Sequence, residues 1–240
     1  MTSQHAILTA EAHRDLSIRT ERDAALGDAQ MCCITTPAEF RAVQGTYPIL
    51  FRLSDTRDRF TALAMFGFEN GENLFLDDGR WDARYRPLAM EIQPFLIGGS
   101  ATHEGPGQVH IDLASPRISR DGQGARLFDD MGRPTPYLDR IAEQLGALDD
   151  GYRAAPAFFE ALQRHDLLEP FTLDVTLDDG ARHQLVGFHI IDEDRLATLD
   201  AAALAELNAA GHLLPIYMAI ASLAHFGDLV ARRNGRLRHG

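Results

Sequence analysis

Lysine is missing from this chain: all 23 basic residues among its 240 are arginine. That excludes a Schiff-base lysine and a Walker-type phosphate loop, both of which need the ε-amine. Cysteine is nearly missing too, with only the neighbours Cys32 and Cys33. Adjacent cysteines rarely reach disulfide geometry. They also lack the intervening residues of a zinc pair, so both read as structural thiols. No Gly-x-Ser-x-Gly and no isolated cysteine with an arranged histidine occurs, which leaves nucleophilic catalysis unsupported. Long apolar runs are missing as well. The longest, residues 213–226, is interrupted by Pro215, Ser222 and His225, whereas a bilayer span needs about 20 residues. Residues 1–20 carry His13, Arg14, Asp15 and Arg19 and no apolar core, unlike a secretory signal, so a cytoplasmic location is expected. Positive charge is scarce: 23 basic against 35 acidic residues give a net charge of −12. A nucleic-acid partner is thereby disfavoured, because phosphate neutralisation needs a basic face. The one basic cluster, Arg232, Arg233, Arg236 and Arg238, lies near the C-terminus and reads as a frayed tail.

What is present suits a globular chain. Apolar residues make up 45% and charged residues 24%, proportions that support a packed core and not disorder. Short apolar runs at 47–53, 60–68 and 73–76, separated by polar turns that include Asn70-Gly71, predict an antiparallel β-meander. Residues 95–97 and 108–113 read as further strands, joined by a glycine-rich loop (Gly98, Gly99, Gly105, Pro106, Gly107). Two helices are expected at 136–148 and 155–165. Residues 171–177 and 183–191 flank Asp178-Asp179-Gly180 as a hairpin, and helices at 200–210 and 213–233 are separated by Gly211. With no repeat and no linker, this is an α+β chain. It is expected to form a single domain over 1–240, with 5–230 as its body, frayed termini, and meander and hairpins packed with C-terminal helices.

Several groups carry candidate chemistry. His110-Ile111-Asp112 places imidazole and carboxylate on one face of a strand. With His183 or His189 as third ligand, the set would be a 2-His-1-carboxylate site for Fe(II), an oxygenase arrangement. Arg195 could then hold a co-substrate carboxylate. The opposing view is chance: His13-Arg14-Asp15 repeats the His-x-acid pattern, and solvated histidines are ordinary. Arg80, Trp81, Asp82 and Tyr85 form the second group, read either as a ligand or partner surface or as a tryptophan capping the core beside an ion pair. Asp77-Asp78, Asp129-Asp130 and Asp178-Asp179 read as turn chemistry before cation binding. Leu214, Met218, Leu223, Phe226 and Val230 recur at helical spacing, as core or as an oligomer interface.

A longer pattern joins these pieces. His13-Arg14-Asp15-Leu16, Glu39-Phe40 and Tyr47-Pro48-Ile49 with Phe51 precede the block running from Gly67 through Phe75 into Asp78-Gly79-Arg80-Trp81-Asp82 and Tyr85-Arg86-Pro87. Pro94-Phe95, Leu127-Phe128-Asp129-Asp130 with Gly132 and Pro134-Thr135, Leu167-Leu168-Glu169-Pro170, Gly187-Phe188 and Asp192-Glu193 follow. Together they resemble the SapC family over about residues 5–230. The resemblance implies a bacterial accessory protein. Relatives are associated with surface-layer gene clusters, and others sit beside outer-membrane nutrient receptors, halogenase-like and cupin-like proteins. It brings no catalytic residues and no cofactor. A transporter label borne by some relatives does not fit a chain without an apparent span. Glu91-Ile92-Gln93 stands where the resemblance leads one to expect an arginine pair, so an anion site on those arginines does not carry over. The leading expectation is a non-catalytic binding protein with a protein or peptide partner from a surface-layer or uptake system, engaged near Arg80, Trp81, Asp82 and Tyr85. The alternative is the iron-dependent oxygenase.

Overall fold

The computed structural model describes residues 3–98 and 108–239. Beyond Gly98, the expected glycine-rich loop lies outside the described residues. The architecture is α+β, built from antiparallel strands and helices. The chain divides into two compact units: Met1–Asp28, Asp78–Trp81 and Leu88–Asp150 form one, and Ala29–Asp77, Asp82–Pro87 and Gly151–Gly240 form the other.

In the first unit, His5–Ile7 and Phe95–Gly98 flank Gln108–Asp112 in a three-stranded antiparallel sheet. A second small sheet places Ser17–Ile18 between Ile118–Ser119 and Ala125–Arg126. Their apolar faces close over one cluster, with Ile18, Ile111, Leu127 and Ile141 at its centre. Beside it lies a buried ion network. The Asp28 carboxylate, fully buried, meets the Arg117 guanidinium at 2.5 Å and Arg22 at 3.5 Å. Arg117 also donates to the carbonyls of Arg19 and Glu21, and Arg22 to that of Met90. A buried charge is tolerated only when paired and hydrogen-bonded in this way. Glu91, at the departure from the family pattern, lies 3.4 Å from Arg22.

The second unit is organised by a five-stranded antiparallel sheet. Its order is Leu168–Thr176, Arg182–Ile191, Ile49–Leu53, Phe60–Met65, Cys32–Thr35. The meander is thus two strands, not three. Its third place is taken by Cys32–Thr35, which pairs Cys32 with Met65 and Thr35 with Ala62. Residues 73–75 instead turn, where Asn73 Oδ1 accepts the Phe75 amide, and Leu76 begins the short strand Leu76–Asp77 outside this sheet. Cys33 is buried in the sheet, and burial pushes its thiol well up, with Glu39 adding to the effect. The 171–177/183–191 hairpin forms with a register shift between Phe171 and Leu173, at the level of Gly187 in the left-handed region (φ 82°).

Helix Pro136–Arg164 is one continuous element where two were expected. Gly151 and Pro156 are residue types ordinarily unfavourable inside a helix. A Cβ at 151 would sit 2.5 Å from Thr36 Oγ1, so the glycine permits close approach of helix and turn. Pro156 is accommodated inside the helix.

The C-terminal arginines are no loose tail either. They lie on helix Phe226–His239. Arg233 pairs with the buried Glu72, Arg232 with Asp82 at 2.7 Å, and Arg238 with Asp178 at 3.1 Å. Arg236 donates to the carbonyls of Asn73 and Leu76. The helical run Leu213–Arg238 is long and apolar enough to cross a membrane by length and composition alone. In this unit its Ile216, Ala219, Ser222 and Leu229 are buried, while Leu214 and Tyr217 are exposed.

Replacing a helical glycine by alanine ordinarily gains about 1 kcal/mol. At Gly151 the crowding at Thr36 reverses the sign. Gly151→Ala is expected to lower stability by ~1–3 kcal/mol in urea denaturation, the cost of overpacking. Most of that loss should disappear in a Thr36→Ala background, where the clashing atom is gone.

Candidate functional site

The strand Phe60–Met65 and the stretch of helix from Gly151 onward face each other across a groove of about 290 Å³. Its apolar walls are Ile34, Phe60, Ala62, Tyr152, Pro156 and Phe159, and its polar rim holds Asp58, Arg59, Glu160 and Gln163. The aromatic wall is anchored in the core. Phe60 stacks on Phe159 at 6.4 Å, and Phe159 meets Phe51 edge-on at 5.9 Å and Phe158 at 5.5 Å. Such contacts fix ring orientation beyond their area burial. The rim loop is also fixed. Asp58 Oδ1 accepts the hydroxyls of Ser54 and Thr56 at 2.6 Å each, while Ser54 Oγ accepts the amides of Asp58 and Arg59. Those hydroxyl bonds hold the Asp58 carboxyl below its usual range.

Behind Thr35, at the edge of the groove, lies a buried carboxylate. Glu39 is 6% exposed. Its Oε2 accepts the Thr35 hydroxyl at 2.8 Å and its Oε1 the Tyr85 hydroxyl at 2.7 Å. The Tyr85 carbonyl in turn accepts the Tyr47 hydroxyl at 2.5 Å. Burial raises the Tyr85 phenol far above its ordinary value, and the negative Glu39 raises it further. Burial also pushes Tyr152 up to about 12, with Cys33 and Glu39 contributing. A carboxylate and two phenols thus share one electrostatic neighbourhood beside an apolar groove, a combination typical of small-ligand sites.

A second, more open concavity of about 420 Å³ is lined by Gly45, Thr46, Phe75, His225, Asp228, Ala231 and Arg232. Its polar groups are already engaged. Arg232 lies 4.5 Å over the Phe75 ring while bound to Asp82, and His225 Nδ1 is 2.7 Å from Asp228.

The residues singled out in the sequence are spread through the molecule. Arg80 and Trp81 belong to the first unit, with Arg80 exposed and Trp81 in the core. Asp82 and Tyr85 belong to the second, one bound to Arg232 and the other to Glu39. His110 packs its imidazole onto Gly98, in the space a Cβ would fill. Slight burial raises the Asp112 carboxyl, but the amides of Gln4 and Ala114 outweigh it and bring it below the usual range. His183 Nδ1 lies 2.9 Å from Glu69. His189 meets the Phe60 ring edge-on at 5.1 Å, and burial lowers its pKa. Among the described residues, no three His, Cys, Asp or Glu side chains gather as a metal set. Arg195 caps locally, its Nε donating to the His165 carbonyl. In the sequence Glu39 stands out only as part of a motif, and nothing there marks Phe60, Tyr152 and Phe159 as groove walls. The one local signal was Pro156 within a helical pattern.

The chain is therefore an α+β protein with an aromatic groove backed by a buried carboxylate. Comparison with family models identifies its kin: the SapC model matches residues 8–229, and the chain belongs to the SapC family. No curated protein and no solved structure matches it significantly.

Glu39 should be visible in a spectrophotometric titration. Tyr85 and Tyr152 are expected to ionise above the ordinary phenol value of about 10, and Glu39→Gln, by removing the negative charge, should bring both down. Unchanged late titration in the variant would show that Glu39 does not set their potential.

Proposed function

We propose that this SapC-family chain is a cytoplasmic, non-catalytic accessory protein of a bacterial surface-layer or outer-membrane nutrient-uptake system. In this proposal it holds one side chain of a peptide partner in the Phe60–Tyr152–Phe159 groove, burying that side chain's aromatic or aliphatic body. The family supports the setting. The observation that carries the binding role is the groove itself, an apolar recess walled by rigidly packed aromatic rings with a short polar rim. Pockets of this make-up bind by burying ligand surface, and a few polar groups set orientation. A binding role is favoured over a catalytic one because Glu39, Thr35 and Tyr85 satisfy one another and so serve as fixed background. Within the block around Trp81, the Asp82 carboxylate and the Tyr85 hydroxyl are likewise engaged, which moves the proposed contact from that block to the groove.

The neutral probe N-acetyl-phenylalaninamide tests this directly. Its titration should perturb amide resonances of Ile34, residues 60–62 and residues 152–163, and Tyr152→Ala, at a half-exposed wall position, should weaken binding about ten-fold, the worth of one good aromatic contact. Perturbations confined elsewhere, or no saturable binding, would contradict the assignment.

A further inference from the structure

The groove's lining also indicates the charge of its ligand. We propose that it takes an organic cation, an ammonium or guanidinium group carried on an aromatic or aliphatic body, such as a basic or amine-bearing side chain. This deepens the preceding proposal and rests on it. Two features point the same way.

The first is the charge balance. Asp58 and Glu160 line the groove against a single cation, Arg59. Arg59 is turned to solvent, with its side chain 81% exposed, and lies 3.8 Å from Asp58. Behind Thr35 stands Glu39, whose charge is buried and therefore poorly screened. An anionic ligand would have to leave water to face that field, whereas a cation would gain from it.

The second is the wall chemistry. Phe60, Phe159 and Tyr152 line the space, and aromatic rings attract cations, more strongly as water is excluded. The volume of about 290 Å³ suits one side chain or a small amine.

Tryptamine and indole-3-propionate share a ring system and differ in charge, so their comparison isolates the claim. In low salt, tryptamine should bind the full-length protein at least ten-fold more tightly by calorimetry or NMR titration. Asp58→Asn with Glu160→Gln, two exposed positions, should shrink that preference to less than three-fold, and Arg59→Gln should enlarge it. Glu39→Gln should also shrink it, and the rim variants carry the test if that protein does not fold. Equal binding, or preference for indole-3-propionate, would overturn the cation assignment. If N-acetyl-phenylalaninamide still bound, the groove would survive as a ligand site with a different ligand class. If none of the three probes bound, both proposals would fall together.

Discussion

The second unit is built around the need to keep one buried negative charge satisfied. Glu39 sits at 6% exposure between the edge strand and the Tyr85 segment, and an ionised carboxylate there is tolerable only with donors in place. Thr35 and Tyr85 provide hydroxyls, and each is thereby fixed in position. Thr35 terminates the edge strand Cys32–Thr35, and the chain then turns through Thr36, whose side chain abuts Gly151 of the long helix. Tyr85 passes the constraint on to Tyr47, which packs edge-on to Phe66 and Phe75. The groove owes its shape to the same chain of contacts, because the strand and the helix that wall it are both held from this point.

A second charged fixture explains the most distinctive stretch of the family pattern. The block from Gly67 to Phe75 folds around the Glu72 carboxylate, which accepts the Phe68 amide and pairs with Arg233. Gly67 has no Cβ because Glu72 passes within 2.8–2.9 Å of where one would be. Arg236 takes the carbonyls of Asn73 and Leu76, and Arg232 takes Asp82. The motif is therefore explained by architecture: a loop with buried polar groups, satisfied by an arginine-bearing helix. Arginine suits this task, since its planar fork serves carboxylates and carbonyls together while staying charged. The absence of lysine costs the fold nothing here.

Periodic and turn-bounded elements were legible in the sequence. The hairpin around Asp178-Asp179-Gly180, the strand pair Ile49–Leu53 and Phe60–Met65, and the helices after residue 200 all follow local signals. What escaped was set by distant partners. Cys32–Thr35 is a short strand whose identity comes from pairing with residues 62–65. Gly151 and Pro156 are poor helix formers retained for a close approach and a groove wall. The C-terminal arginines look like a solvated tail until their acids, more than a hundred residues earlier in two cases, are placed beside them. The candidate site was hidden for the same reason. Phe60, Tyr152 and Phe159 read as core residues one by one, and only tertiary packing leaves a space between them, whereas Asp82, Tyr85 and Asp112 of the eye-catching segments are engaged by partners far along the chain.

The groove as a ligand site is the central claim, and hydrogen exchange read by mass spectrometry tests it most directly. With N-acetyl-phenylalaninamide at saturation, protection should rise in the peptides covering residues 32–35, 58–62 and 151–163, while the 67–82 block and the C-terminal helix stay unchanged. Protection confined to the 67–82 block or the C-terminal helix would contradict the account, as would none in the groove peptides.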